Sequence, residues 1–209
     1  MSFDLAAFIA LRPYLYHLTA ADNVTAIRSA GALCSATALA ERAGRHEVTA
    51  SRRSHHVGVT VEGATAVLRD QAPLHERNMR LEDGWSFAEI ISSLNGRVFF
   101  WPGTPTGPIA HGQRHFSRYA MERPALMRLE TRRLFDANPD RAPLFCKYNS
   151  GSPRWSGGVA APRGPSTFID AQHASFSAGA VVEVTFIDAV TLPDVVEWAD
   201  DAGGPWVVG

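Results

Sequence analysis

Short apolar runs along the chain are separated by polar stretches that contain glycine or proline. Runs rich in β-branched and aromatic residues predict strands, and the two clearest are RVFFW at 97–101 and VVEVTFI at 181–187. Weaker runs predict further strands over 15–19, 57–61, 125–129 and 144–147. Apolar residues at helical spacing predict helices over 23–30, 87–94, 109–121 and 132–136. Because short strands are mixed irregularly with helices, we expect an α+β fold and not a doubly wound sheet.

Two stretches lack a regular period. Residues 41–56 are polar and basic, which predicts a loop around a frayed helix. Residues 149–167 carry enough glycine and proline to predict a long loop without a regular element, and such loops are usually functional or disordered. The tail after Pro193 carries Trp198 and Trp206 and is expected to pack as an edge. With 209 residues, the chain suits a single domain over 1–209.

Composition narrows the function classes. Hydrophobic residues make up 45% and the formal net charge is −1, which excludes a large basic face for duplex DNA but leaves room for a local basic groove. Cys34 and Cys146 are too few for a zinc site or a disulfide framework, and we expect plain core or semi-buried thiols. No apolar stretch reaches 18 residues, so we expect a cytoplasmic protein that does not enter a membrane.

The familiar nucleotide and hydrolase motifs are absent. The sequence has no G-x-G-x-x-G, no G-x-x-x-x-G-K-[ST], no G-x-S-x-G and no H-E-x-x-H. His111 and His115 have the i, i+4 spacing of two metal ligands, but no third ligand is adjacent. We therefore expect them to lie at a solvated helix start, and we predict no metal site.

Three short segments carry residues with chemical potential. In the strand YHLT, His17 and Thr19 share a face, where they can hold ribose hydroxyls or the amide of a nucleotide; the alternative is a buried histidine bonded to a backbone carbonyl. Glu183 lies within an apolar strand, which costs free energy unless the acid is functional, paired or on a solvent-exposed edge. Arg69 can bind a pyrophosphate, or form a local surface pair with Asp70.

The ordered set of these segments resembles the DarT family of NAD-dependent ADP-ribosyltransferases. LYHLTAADNVTAIRSAGAL resembles the family's opening strand, Asp-Asn step and helix. RDQAPL resembles its arginine and the turn that follows, and VVEVTF resembles the late strand that carries its catalytic glutamate. RVFFWPG fits its middle strand. The chain is most similar to a divergent branch of that family.

The resemblance implies an ADP-ribosyltransferase-like split β-sheet with flanking helices and NAD as co-substrate. It implies Glu183 and Arg69 as catalytic residues, and His17, Thr19 and Asn23, together with Arg69, as NAD-binding residues. The acceptor is expected to be a nucleobase in single-stranded DNA or RNA. The arginines that can line an acceptor groove are Arg114, Arg118, Arg154 and Arg163. Trp155 and Phe168 can stack on a base there, and the alternative for both is ordinary packing. A toxin role with an antitoxin partner is compatible with the resemblance.

Several alternatives stay open. Val181 stands where arginine-modifying ADP-ribosyltransferases have Gln or Glu, which argues against a protein-arginine acceptor. Water as acceptor gives an NAD glycohydrolase. An RNA 2′-phosphotransferase shares the fold, and Arg52, Arg53, His55 and His56 resemble its phosphate site, but that reading leaves Glu183 unexplained. The last alternative is a non-catalytic module of a toxin or defence operon that binds NAD or nucleic acid.

Overall fold

The structure is a computed structural model that describes residues 3–155 and 157–209. It contains six short α-helices: α1 Leu5–Leu11, α2 Val24–Ala30, α3 Ala36–Arg42, α4 Phe87–Asn95, α5 Ala110–Tyr119 and α6 Thr131–Asp136. The strands are β1 Tyr14–Ala20, β2 Ala32–Cys34, β3 Val57–Val61, β4 Ala64–Leu68, β5 Met79–Leu81, β6 Arg97–Thr104, β7 Gly107–Pro108, β8 Pro124–Glu130, β9 Leu144–Cys146, β10 Ala161–Arg163, β11 Ile169–Asp170, β12 Glu183–Ile187, β13 Ala189–Thr191, β14 Glu197–Ala199 and β15 Val207–Val208.

Nine of these strands form one antiparallel sheet. Its order is β11-β9-β12-β6-β1-β8-β14-β15, and β7 extends the free part of β6. Three further pairs lie outside it: the β3–β4 hairpin, the β2–β13 pair and the parallel β5–β10 pair. The mixture of helices and antiparallel strands is an α+β fold, as the sequence predicts.

The sheet opens between β1 and β6. The two strands pair at only three positions, of which the last joins Tyr16 to Trp101. Beyond that point β1 pairs with β8 alone, and residues 97–100 of β6 pair only with β12. Residues 17–20 and 97–100 therefore face a gap in the middle of the sheet, and this gap positions the candidate site.

Both faces of the sheet are covered. One face carries the main core, in which Phe8 of α1 and Leu134 of α6 pack on sheet residues such as Phe100. The other face carries two smaller clusters, formed where α4 and α5 pack on the sheet. Each fully buried aromatic or aliphatic side chain contributes roughly 1.5–3 kcal/mol, so this double layer is sufficient to hold an open sheet together.

Local sequence signals account for several element boundaries. Ser86 and Glu89 form a reciprocal capping box at the start of α4. Gly31 ends α2 at φ +58°, a left-handed conformation that glycine adopts without strain. Gly112 on α5 lies where an added Cβ would be 2.8 Å from Trp101 Cβ, so a larger residue would push α5 away from β6. Gly112 thus allows the close approach of α5 to β6.

The strands and helices predicted from the sequence are confirmed, and the structure adds others that were not predicted, among them β2, β5 and β13. The N-terminal helix α1 was not predicted; Asp4 caps it by accepting a 2.9 Å hydrogen bond from the Ala7 N–H. The expectation of no regular element over 149–167 is wrong, because β10 pairs in parallel with β5 and a 3-10 turn follows at Pro165–Thr167. The partner of β10 lies about 80 residues earlier, so local pattern gives no sign of it.

Four smaller expectations can be compared with the structure. The tail forms the β14–β15 edge, as predicted. Cys146 is buried and Cys34 half-buried, and both are free thiols. The segment 41–56 holds the end of α3 and a 3-10 turn at His46–Val48.

The longest helix, α5, has ten residues, so no helix in the described parts of the chain has the length and apolarity to cross a membrane.

Candidate functional site

A cavity of about 1120 Å³ lies at the gap between β1 and β6, and we call it the main cavity. A second cavity of about 640 Å³, the side cavity, shares part of its wall, including Arg118, Tyr119 and Arg154. Ligand cavities in proteins commonly measure about 300–1,000 Å³, so the main cavity has room for a dinucleotide-sized ligand. Its wall includes nine of the eleven residues named from the sequence for the site or the acceptor groove: His17, Thr19, Asn23, Arg69, Arg114, Arg118, Arg154, Arg163 and Glu183.

Glu183 is a buried carboxylate on the wall of the main cavity. It is the first residue of β12, one position before the first β12–β6 pair, and is 2% exposed. Burial raises its pKa to about 7, while the contacts with Ser150 and the charge of Arg163 oppose the rise. The alternative of a solvent-exposed edge is wrong, because β12 lies between β6 and β9.

The loop after β9 holds this carboxylate. The backbone N–H of Ser150 donates to both oxygens of Glu183, at 3.1 and 3.2 Å. Buried Arg163 in turn braces the loop, since its guanidinium donates to the carbonyls of Asn149, Ser150 and Pro162. The donors of Arg163 are therefore engaged by backbone, and these contacts indicate a positioning role.

His17 enters the gap from the β1 side. Its Nδ1–H donates to the carbonyl of Phe99 at 2.8 Å, across the space where β1 and β6 no longer pair. Burial lowers its pKa to about 4, with a smaller contribution from the charge of Arg69. The ring is therefore neutral at pH 7, and Nε2 is an acceptor that makes no hydrogen bond within the described residues. Both alternatives given for His17 therefore apply: its ring is bonded to a backbone carbonyl, and it also lines the main cavity.

Asn23 connects β1 to the β3–β4 hairpin. Its Nδ2 donates to Thr19 Oγ1 and to the carbonyl of Val67, both at 3.0 Å, and its Oδ1 accepts from the Val67 N–H at 2.7 Å. The side chain thus pairs with the free edge of β4 as a neighbouring strand would. Because β4 ends just before Arg69, this clamp positions Arg69 at the cavity.

We expect Asn23→Ala to destabilise the protein by about 2–3 kcal/mol, because it leaves the N–H and carbonyl of Val67 unpaired. Denaturant unfolding measures the loss. Asn23→Asp keeps the acceptor for the Val67 N–H but not the donor, so its loss should be intermediate. A change below about 0.5 kcal/mol for Asn23→Ala would contradict the clamp.

Arg69 is held by the side chains of Tyr119 and Glu122. Its guanidinium stacks over the ring of Tyr119, with Cζ 3.8 Å from the centroid, and Nη2 lies 3.3 Å from Glu122 Oε2. The predicted local pair with Asp70 does not form. Instead His56 lies between the two acids. Its Nδ1 is 3.1 Å from Asp70 Oδ2, and its Nε2 is 2.9 Å from Glu122 Oε2. The arginine is thus fixed at the boundary between the main cavity and the side cavity.

His56, Asp70 and Glu122 are also close enough together to be considered as metal ligands. Their ligand atoms lie within 4.8 Å of one another. However, each ring nitrogen of His56 faces a carboxylate, and Glu122 also contacts Arg69. These three side chains therefore form a polar network that orients Arg69.

The sequence did not identify His115 as a site residue. It was expected at a solvated helix start, but its ring centroid lies 5.3 Å from that of Trp101 and 5.1 Å from that of Tyr119. Burial, followed by the charges of Arg69 and Arg118, lowers its pKa to about 3. The sequence does contain a signal for the burial of His115. Gly112, His115 and Tyr119 share the buried face of α5 at i, i+3 and i+7.

The segment 149–167 contributes to the cavity wall over residues 149–154 and 159–163. Trp155 is not among the lining residues; it is 58% exposed, and its indole N–H donates to the carbonyl of Arg77 at 3.1 Å. Phe168 packs in the core and is 8% exposed. The structure therefore places Arg154 at the cavity but gives neither aromatic residue a free face inside it.

The main cavity is strongly positive although the chain is nearly neutral. Among the described residues, nine Arg and Lys side chains line it against three acids. Two of these acids are engaged, since Glu62 pairs with Arg42 and Asp70 faces His56. An anionic ligand is the class that this wall favours.

Comparison with known proteins identifies the family. Residues 13–196 match a family of unknown function, DUF7002. The chain belongs to this family. No curated protein and no solved structure matches the chain. The matched range includes every strand that lines the gap and all of the predicted site residues.

Proposed function

We propose that the protein is an NAD-dependent ADP-ribosyltransferase. The observation that carries the proposal is the placement of Glu183, a buried carboxylate, on the wall of the same cavity as His17 and Arg69. These three residues are 52 and 114 positions apart in the chain, and the resemblance to the DarT family names all three. The gap between β1 and β6 is compatible with the split sheet that this resemblance implies.

The residues present suit a dinucleotide. The cavity volume of about 1120 Å³ and the positive wall fit a ligand with two phosphates. His17 Nε2 and the hydroxyl hydrogen of Thr19 offer one acceptor and one donor on the β1 side of the gap, the groups that ribose hydroxyls and a carboxamide require. No glycine-rich phosphate loop is needed where side-chain cations supply the charge.

Glu183 would stabilise the positive charge that develops on the ribose as its bond to nicotinamide breaks. An ionised carboxylate in a buried site interacts more strongly with such a charge than one in water, because little solvent screens it. The acceptor nucleophile then bonds to the same ribose carbon and releases a proton. The products are nicotinamide, the ADP-ribosylated acceptor and a proton.

The acceptor we propose is a nucleobase in single-stranded DNA or RNA. Arg114, Arg118 and Arg154 line the main cavity, and the latter two also border the side cavity. Such a row of arginines suits a phosphate backbone that enters beside the cavity. An antitoxin partner belongs to the same proposal.

The test is incubation with NAD labelled in its ADP-ribose part, in separate arms with single-stranded DNA, RNA and a protein lysate. We expect nicotinamide release and label on a nucleic acid. Release of nicotinamide with only free ADP-ribose in every arm would indicate a glycohydrolase. NAD binding without nicotinamide release would indicate a non-catalytic module. Either result would overturn the transferase proposal.

A further inference from the structure

Arg97 has a guanidinium without a protein partner. It is the first residue of β6, on the same strand face as Phe99 and Trp101, and all three line the main cavity. Its Nε and Nη1 are shielded from solvent and make no hydrogen bond, and within the described chain it forms no ion pair. Its Cζ lies 4.3 Å from the centroid of the Phe168 ring, a cation–π contact.

The other two deeply placed arginines of the cavity are satisfied. Arg53 donates to Asn95 Oδ1 and to the carbonyls of Arg69 and Val48. Arg163 donates to three backbone carbonyls. Arg97 differs from both, because two of its nitrogens are shielded from water without an acceptor, which costs free energy.

The ligand that suits Arg97 is a phosphate group. A guanidinium presents a planar fork of donors that matches phosphate oxygens. The guanidinium lies over the Phe168 ring, and Nη2 is the nitrogen that is not shielded from the cavity. Arg69, the arginine that the sequence assigned to a pyrophosphate, is already engaged by Glu122 and Tyr119. Among the buried and half-buried arginines that line the cavity in the described residues, Arg97 is therefore the one without an ion pair or a hydrogen bond.

We infer that Arg97 binds the diphosphate of a nucleotide ligand in the main cavity. The inference that this nucleotide is NAD rests on the proposed function, whereas the phosphate site itself rests on the contacts of Arg97. Because Arg97 belongs to the sheet and is half-buried, it is suited to a ligand enclosed in the cavity more than to a polymer on the outer arginines.

Titration calorimetry with the full chain tests this site. The probes are ADP-ribose, inorganic pyrophosphate and nicotinamide riboside, which has no phosphate. We expect Arg97→Gln to weaken the binding of ADP-ribose and pyrophosphate at least tenfold and to leave nicotinamide riboside within twofold. Arg42→Gln is the matched control, because Arg42 lines the same cavity wall but is half-exposed and already pairs with Glu62. We expect less than a threefold change for it.

Equal losses for Arg97→Gln and Arg42→Gln, or no loss for Arg97→Gln, would overturn the site. If Arg97→Gln does not fold, Arg97→Lys keeps the charge without the fork and should weaken pyrophosphate binding severalfold; unchanged binding would overturn the site. Phosphate binding through Arg97 without NAD cleavage leaves this inference standing and removes the proposed function. If NAD is cleaved but Arg97→Gln does not change ADP-ribose binding, the proposed function stands and the Arg97 site is overturned.

Discussion

Replacing Glu183 by glutamine is expected to slow NAD cleavage at least about a hundredfold, because one electrostatic contact to the transition state is lost. Glutamine has nearly the same size, and its oxygen can still accept the Ser150 N–H that now bonds Glu183. The loop after β9 should therefore stay in place. NAD binding should change only a few-fold, since His17, Arg69 and Arg97 are untouched.

Nicotinamide release at saturating NAD measures the loss, and calorimetry measures NAD binding. Glu62→Gln is the matched control: Glu62 lines the same cavity, but its side chain is 79% exposed and pairs with Arg42. We expect its rate to stay within about twofold of that of the native protein. Equal NAD consumption by native protein and Glu183→Gln would remove Glu183 from the catalytic role and with it the main support for the proposed function.

The sequence predicts the elements of this site better than their contacts. The strands at 97–101 and 181–187 were predictable because each is a dense run of apolar residues, which suits a strand buried on both faces. Glu183 was recognisable as an acid in such a run. Its partner, the Ser150 N–H, was not, because it comes from a loop 33 residues away that no local pattern links to β12.

The arginines show the same difference between the elements, which the sequence predicts, and the contacts, which it does not. Sequence order singled out Arg69 and Arg163, but long-range contacts decide which cations are free to bind a ligand. Arg163 is engaged by backbone carbonyls of its own loop, and Arg69 by Glu122 and Tyr119. Arg97 opens a predicted strand and appeared to be an ordinary strand residue. Only the tertiary structure shows that it has no partner among the described residues.

Glu183 should also make the stability of the protein depend on pH. Its pKa is about 7 in the folded chain and about 4.5 when it is exposed to water. Between these values the folded state holds a proton that the unfolded chain has lost, so stability falls as the pH rises. Glu183→Gln lacks this titration. Its stability relative to the native protein should therefore rise by on the order of 3 kcal/mol between pH 4.5 and pH 8.

Urea unfolding of both proteins at pH 5, 6, 7 and 8 measures this difference. His17 and His115 act in the opposite direction, because their pKa values are lowered by burial and their contribution to stability is lost as the pH falls below about 6.5. Both histidines are present in native protein and variant, so their effect cancels in the comparison. A difference that stays constant from pH 5 to pH 8 would show that Glu183 titrates as an exposed acid, in contradiction to its burial at 2% exposure.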